Sequence, residues 1–329
     1  MASIVFRGET LQLQEGETVL ERLERAGVRP AFSCRVGSCQ SCLMRVTDGT
    51  PPAGAQQGLR DTLKARGYFL PCVCRPEADL GIAPPDESLY TLQVRLESIA
   101  PLNPRVVRVL LRPERPLDYQ AGQFINLVRP DGLTRSYSLA SLPGRDELLE
   151  LHVQIHERGQ MSQWLCGLAP GTAATVRGPA GDCYYLPGRP EQPLLLVGTG
   201  TGLAPLYGLV QEALRQGHTG PITLIHGARQ PSQLYLVPEL QALAAANPQL
   251  TYLPSVLSDE PAGSLPQGGV VGPLSSLLSA RAPSLKGYRV FLCGDPVLVN
   301  ALRRQVFLAG AARKEIAADL FLSTPPPAT

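Results

Sequence analysis

The sequence predicts a multidomain chain: a small α+β unit of the β-grasp kind, then an antiparallel β-barrel, then an α/β unit on a parallel sheet. Three observations predict it. The chain has 329 residues, more than one ordinary core holds and enough for two or three domains of about 100 to 150 residues each. Apolar residues make up 44% and charged residues 18%, with 32 Gly and 32 Pro, the composition of packed, turn-rich protein rather than disorder. The pattern of apolar runs also changes twice, after residue 86 and near residue 188, which divides the chain into residues 1–86, 90–188 and 189–329.

In the first unit, residues 3–7 and 11–14 read as short strands separated by Gly8. An amphipathic helix follows over residues 18–26, with Val19, Leu20 and Leu23 on one face and Gly27 as its stop. A cysteine-rich loop, a strand at residues 43–46, a Pro and Gly-rich turn at 49–54 and a second cysteine region at Cys72 and Cys74 complete it. Residues 83–88 have linker chemistry. The second unit carries alternating runs at residues 92–99, 106–111, 124–128, 149–155 and 174–176, short strands between turns that imply the barrel. In the third, strands at 194–197, 222–226, 250–256 and 288–293 alternate with helices at 203–216, 238–245 and 297–309, the order of a parallel α/β sheet. Residues 325–327 read as a frayed tail, and there is no internal repeat.

Charge excludes some functions. With 30 Lys and Arg against 28 Asp and Glu the net charge is +2, and no run of five like charges asks for nucleic acid or an anionic membrane. The longest apolar stretches, such as residues 193–198, fall far short of the ~18 residues a spanning helix needs. Residues 1–9 lack a basic region followed by an apolar one, so a cytoplasmic protein is expected. Five of the eight cysteines fall between Cys34 and Cys74, which in a reducing compartment points to metal rather than disulfides.

Cys34, Cys39 and Cys42 have the spacing C-x4-C-x2-C, and Cys72 follows after 29 intervening residues. That is a plant-type ligand set for a 2Fe-2S cluster, because a compact loop can wrap the bridging atoms while a fourth thiolate arrives from a distant segment. A structural zinc site, which usually shows two C-x2-C pairs, is the alternative. Cys74 competes with Cys72 for the fourth position, since residues two apart on a strand point the same way.

Downstream, Arg135-Ser136-Tyr137-Ser138 sits on a predicted barrel strand, where Arg suits a phosphate and Tyr can cover an aromatic ring. Gly159-Gln160-Met161-Ser162 precedes an amphipathic stretch at residues 163–168, which would offer helix N-terminal N–H groups to a phosphate. An exposed basic strand and an ordinary helix cap would look similar. Gly198, Gly200 and Gly202 follow an apolar strand and open a helix, as a pyrophosphate turn requires, and Cys293-Gly294-Asp295-Pro296 follows another apolar strand. His152, His156, His218 and His226 show no metal spacing; His152 and His156 read as packed or exposed residues of one barrel face, and Cys166 and Cys183 as inert core thiols.

Together, in this order, these motifs resemble the ferredoxin-NADP reductase superfamily, and more specifically the NADH-dependent reductase components of bacterial ring-hydroxylating dioxygenases and multicomponent monooxygenases. The resemblance covers about residues 1–322. It implies a plant-type 2Fe-2S ferredoxin domain, an FAD-binding barrel and an NAD-binding α/β domain. Leu70-Pro71-Cys72 looks like the fourth-ligand segment of plant-type ferredoxins, which makes Cys74 a packed thiol; those ferredoxins carry Gly where this chain has Gln40. By resemblance, Arg135 contacts the flavin phosphates, Tyr137 stacks on the isoalloxazine and Ser138 hydrogen-bonds near the nitrogen that accepts hydride. Gly159 and Ser162 hold the FAD pyrophosphate, Gly198, Gly200 and Gly202 line the nicotinamide cofactor's pyrophosphate, and Cys293, next to Gly294, sits beside the nicotinamide.

The implied circuit runs from NADH to FAD, then to the cluster, then to a terminal oxygenase or other one-electron acceptor, with no membrane or nucleic-acid partner and a monomeric reductase. NADH is expected over NADPH because residues 226–233 offer only Arg229 for an extra phosphate. Gln233 stands where the family often has Asp. Residues 316–321 resemble the superfamily's closing strand, whose last aromatic, here Phe321, either covers the flavin or anchors the strand in the core. A reductase of the same architecture serving a deoxysugar dehydrase, and a non-catalytic cluster-binding redox sensor, are the alternatives.

Overall fold

The structure, a computed structural model, describes residues 2–86, 91–258 and 265–322. Residues 87 and 88 of the expected linker and the expected frayed tail lie outside the described residues. In the first unit β1 (Ser3–Phe6), β2 (Glu9–Gln12), β3 (Met44–Asp48), β4 (Tyr68–Phe69) and β5 (Leu80–Ala83) form a mixed sheet in the order β2-β1-β5-β3-β4. Helix α1 (Val19–Arg25) opens with a reciprocal cap: Thr18 Oγ1 accepts from Glu21 N at 3.2 Å, and the Glu21 carboxylate accepts from Thr18 N at 2.8 Å. It buries Val19, Leu20 and Leu23, as its periodicity predicts. Helix α2 (Asp61–Lys64) is a single turn.

β6 (Thr91–Asn103), β7 (Val106–Pro113), β8 (Phe124–Val128), β9 (Thr134–Ser138), β10 (Leu149–Gln154) and β11 (Ala173–Ala180) form an antiparallel sheet in the order β10-β7-β6-β11-β8-β9. A bridge between Leu139 and Leu151 ties its two edges together and closes the expected barrel. Helix α3 (Gln160–Cys166) starts three residues earlier than the apolar pattern predicts, so Gly159 is its N-cap and Ser162 lies in its first turn. Its buried residues are Met161, Ser162 and Leu165. Cys166, one position further round the helix, is exposed rather than the core thiol the sequence suggested, whereas Cys183 is buried. His156 lies beyond the end of β10 and is exposed, so it does not share a strand face with the buried His152.

The third unit is parallel throughout: β12 (Leu194–Thr199), β13 (Ile222–Ala228), β14 (Leu250–Val256), β15 (Val270–Val271), β16 (Arg289–Gly294) and β17 (Ile316–Leu320) lie in the order β15-β14-β13-β12-β16-β17. They alternate with α4 (Leu203–Arg215), α5 (Val237–Ala246), α6 (Leu274–Arg281) and α7 (Pro296–Leu308). Leu194 and Leu196 pack into one core cluster and Leu195 and Val197 into another. A strand buried on both faces explains why that run is uniformly apolar. The chain winds outward from β12 through β15 and then returns to lay β16 on the other side of β12. This reversal opens a crevice beyond the carboxyl ends of β12 and β16, where sheets of this type bind ligands.

Candidate functional site

A cleft of about 2700 Å³ runs along all three units, lined by Cys34, Cys39 and Cys42 at one end, by Arg135 and Tyr137 in the middle, and by Gly200 and Gly294 at the other. At the first end the four thiols predicted as ligands come together in two pairs. The Cys39 thiol hydrogen-bonds to Cys34 and pulls its pKa down to about 4 against the effect of burial, while Cys39 itself rises. Cys42 and Cys72 repeat the arrangement, Cys72 lowered by the bond from Cys42 and Cys42 raised. Backbone amides also point at sulfur: Cys39 N donates to Cys34 Sγ at 3.3 Å, Val36 N to Cys34 Sγ at 3.4 Å, and Cys34 N to Cys39 Sγ at 3.4 Å.

This donor set fits a two-iron cluster. Two thiol pairs with N–H···S bonds suit two irons better than one zinc. Cys74 faces elsewhere. Residues Pro71–Val73 form a 3-10 turn rather than the strand assumed for their spacing, which sends Cys72 toward Cys42 and Cys74 into the apolar cluster of Ile4, Phe6 and Val19. Burial there pushes its thiol up to about 12. Gln40 adopts φ +58°, the conformation for which Gly is favoured, and its Nε2 donates to Gly58 O at 2.9 Å.

In the middle, Arg135 and Tyr137 stand two apart on β9 and share a face of the strand. Arg135 is half-buried, burial lowers its pKa, and its NH1 donates only to the neighbouring Thr134 carbonyl at 2.8 Å. No carboxylate pairs with it among the described residues, so this guanidinium fits an anionic group in the cleft. Ser162 Oγ accepts from His156 N at 3.2 Å and donates to Gly159 O at 3.1 Å. Its hydroxyl therefore holds the turn closed, and a Cβ on Gly159 would come within 2.5 Å of it.

At the nucleotide end the glycines divide by role. A Cβ on Gly202 would lie 2.2 Å from Cys293 O and one on Gly198 would lie 2.9 Å from Gly202 O, so both serve close packing of the turn and neither lines the cleft. Gly200, at φ +54° with nothing nearer to its Cβ position than Gln154 Oε1 at 3.9 Å, faces the cleft with Thr199 and Thr201. Gly294, at φ +128°, packs against Thr199. The Cys293 side chain is fully buried 3.5 Å from Cys183 Sγ, one residue behind the cleft lining. Arg229 and Phe321 both line the cleft, Arg229 exposed and Phe321 half-buried with its N–H donated to Gly294 O at 2.9 Å.

Three further residues join these groups; sequence reasoning assigns none of them a role, although Tyr235 and Asp319 lie in stretches that resemble the family. Ser138 Oγ lies 3.4 Å from Asp319 Oδ2, and burial, opposed by that contact, raises the Asp319 carboxyl to about 6. The one acid in an otherwise apolar closing strand was the available signal. Tyr235 OH meets His152 Nδ1 at 3.2 Å and donates to Gly200 O at 3.4 Å, tying the barrel to the glycine turn. Asn126 joins the barrel to the cysteine loop through Cys39 and Ser41.

Three models of known families match the chain in turn. A 2Fe-2S iron-sulfur cluster binding domain matches residues 5–77, an oxidoreductase FAD-binding domain residues 95–185, and an oxidoreductase NAD-binding domain residues 196–304. The chain is 35% identical over 310 residues to the aromatic O-demethylase reductase subunit of an Amycolatopsis species, covering 89% of this chain and 90% of that one. It belongs to the iron-sulfur flavoprotein reductase family of bacterial oxygenase systems. A second member, the ferredoxin--NAD(P)(+) reductase component of the naphthalene 1,2-dioxygenase system of Pseudomonas putida, is 32% identical over 317 residues, covering 93% of this chain and 94% of that one. The crystal structure of an Amycolatopsis cytochrome P450 reductase superposes with a TM-score of 0.69 at 30% identity, covering 98% of this chain and 99% of the other. As a member of this family the protein is an NAD(P)H-dependent oxidoreductase with domains for a 2Fe-2S cluster, FAD and NAD. No helix among its described residues is long and apolar enough to cross a membrane.

Proposed function

We propose that the protein takes electrons from NADH and delivers them singly, through FAD and the cluster, to a terminal oxygenase or a similar one-electron acceptor protein, acting as a cytoplasmic monomer. The observation that carries this reading is that the cysteine loop, whose Cys42 pairs with Cys72, and the flavin motif strand line one cleft with the nucleotide turn at its far end. FAD when bound supplies the conversion between a two-electron hydride and single electrons. The chain's own residues do the holding and shielding.

Cys34, Cys39, Cys42 and Cys72 would hold the cluster, their amide-bonded sulfurs already placed to carry negative charge. Arg135, lacking an acidic partner, would pair with the flavin phosphates, and the first turn of α3 with Gly159 and Ser162 would take the pyrophosphate. Tyr137 would cover the ring. Ser138 and Asp319 share a hydrogen bond whose carboxyl titrates at about 6, so near neutrality the pair can hold or release a proton at Asp319 Oδ2 beside the ring. Gly200 would let the nicotinamide cofactor's pyrophosphate approach the backbone, while Gly198, Gly202 and Gly294 keep the turn tight against β16. Cys293 would act through this packing, and Phe321 would be the residue that nicotinamide displaces.

The test is spectroscopic and kinetic. Purified protein should show flavin and iron-sulfur absorbance with acid-labile sulfide, and kcat/KM should favour NADH over NADPH, because Arg229 is the single basic side chain in residues 226–233. Protein that contains zinc without labile sulfide would overturn the reading, and a ratio favouring NADPH would overturn the cofactor choice.

A further inference from the structure

Strand β8 alternates: Ile125 and Leu127 are fully buried in the barrel core, so Asn126 between them points to the outside of the barrel. An outward-facing amide should be solvated, yet Asn126 is only 2% exposed. What covers it is the cysteine loop, from more than 80 residues earlier in the chain. Asn126 Nδ2 donates to Cys39 O at 2.9 Å, and Asn126 Oδ1 accepts from Ser41 Oγ at 2.8 Å and from Ser136 Oγ at 2.8 Å. The carbonyl of Cys39 can only accept, so it fixes Nδ2 as the end of the amide that meets it and leaves Oδ1 for the two serine hydroxyls. Ser136 is the cross-strand partner of Asn126 on β9 and lies between Arg135 and Tyr137. One buried side chain thus holds a cluster-ligand residue with one hand and the flavin strand with the other.

An apolar contact between two domains tolerates sliding, whereas a buried amide that must satisfy three specific partners does so in a single register. We propose that Asn126 is the positioning residue that locks the cluster loop onto the flavin strand and so sets the geometry of electron transfer between flavin and cluster. The proposal rests on the reading of the site as an FAD-to-cluster relay. Asn126 itself carries neither group. Its effect is confined to the step between them, and the nicotinamide-to-flavin step, which involves the other end of the cleft, is independent of it.

The discriminating variant is Asn126→Asp, which keeps shape and the acceptor for Ser41 and Ser136 but sets a carboxylate oxygen against Cys39 O. Asn126→Ala removes all three bonds, and Ser41→Ala removes one of them, together with the Ser41 contact to the Cys39 thiol, while leaving the barrel untouched. In the loaded protein, rapid mixing with NADH would follow flavin and cluster bleaching separately, and hydrogen exchange would report on the amides of residues 38–43. Asn126→Asp should leave flavin reduction at the wild-type rate, slow flavin-to-cluster transfer on the order of tenfold or more, the scale at which small misplacements cost rate, and speed exchange in the loop. Ser41→Ala should do the same more weakly, and it carries the test if the Asn126 variants fail to fold. Wild-type transfer and exchange in Asn126→Asp would overturn the proposal, since a residue that only fills space tolerates Asp. Native protein lacking flavin or cluster absorbance would instead defeat the functional reading, before any variant is made.

Discussion

Asp319→Asn should stabilise the protein in a pH-dependent way, with a size that follows from the burial of its carboxyl. Burial raises that group from an ordinary value of 3.8 to about 6, even with the Ser138 hydroxyl 3.4 Å away favouring the charged form. A raised carboxyl binds its proton more tightly in the folded state than in the unfolded one. Its favourable contribution is therefore complete below pH 4, shrinks as the pH rises, and is gone above pH 6, leaving a constant cost of ionising a buried acid. Two pKa units correspond to about 3 kcal/mol. Asn keeps the shape and a partner for Ser138 but never ionises, so the variant should gain little below pH 4, about 2 kcal/mol at pH 5 and about 3 kcal/mol above pH 7. Urea unfolding of wild type and variant at pH 5, 6 and 7.5, followed at the transition that reports on the nucleotide-binding unit, measures the difference directly. A difference that stays flat across that range, or that grows toward acid, would show that Asp319 does not titrate as its surroundings dictate.

The remaining expectations test separate parts of the cleft. Cys42→Ser should abolish the cluster signal while NADH still reduces the flavin, because the thiol pairs lie in the first unit and β9 in the barrel; Cys74→Ser, which alters only an apolar contact, should keep a full cluster by absorbance and labile sulfide. Gly202→Ala forces a methyl to within 2.2 Å of the Cys293 carbonyl and should cost 3 kcal/mol or more of stability on the overpacking scale of roughly 1 to 3 kcal/mol or above, whereas Gly200→Ala, with open space around it, should cost about 1 kcal/mol through its positive φ. Matched urea melts decide this, and equal losses would mean that the turn relaxes. Removing the residues after Leu320 should shift flavin absorbance and tighten or loosen nicotinamide binding without unfolding the protein; an unchanged spectrum and KM would remove Phe321 from the ring.

The parts of this protein legible in its sequence are those where chemistry demands a spacing or burial demands a pattern. The C-x4-C-x2-C loop, the apolar β12 and the glycine turn after it all declare themselves, because each constraint acts between near neighbours. Strand β5 did not, although it lies between β1 and β3 at the centre of its sheet. It is four residues long and contains Gly81, a poor strand former by composition, and Gly is required there because a Cβ would come within 2.7 Å of Thr47 Oγ1. Asn126 was illegible for a related reason: in an alternating strand it looks like an ordinary solvent-facing residue, and only the loop laid over it makes it a buried junction. That Cys72 turns toward Cys42 while Cys74 enters the apolar core follows from a 3-10 turn that spacing arguments cannot see, although the resemblance of Leu70-Pro71-Cys72 pointed the same way.

Gln40 shows how a departure from a family pattern can be read once the backbone is known. The loop keeps the left-handed conformation there, at φ +58°, although a side chain is present. That conformation costs a non-glycine residue roughly 1 to 2 kcal/mol. Against it stand the bond from Gln40 Nε2 to Gly58 O at 2.9 Å, worth about 1 kcal/mol, and the smaller conformational entropy that Gln, compared with Gly, surrenders on folding, worth about 0.5 to 1 kcal/mol. The terms nearly cancel, so the substitution leaves the loop at the same φ with a similar stability. Its consequence is instead a tether: Gln40, between Cys39 and Cys42, is fastened to Gly58 on one side, while Ser41 is fastened to Asn126 on the other. A glycine at this position would lose the bond to Gly58 and leave the loop tied by Arg35 to Glu24 in its own unit and by Cys39 and Ser41 to Asn126 in the barrel.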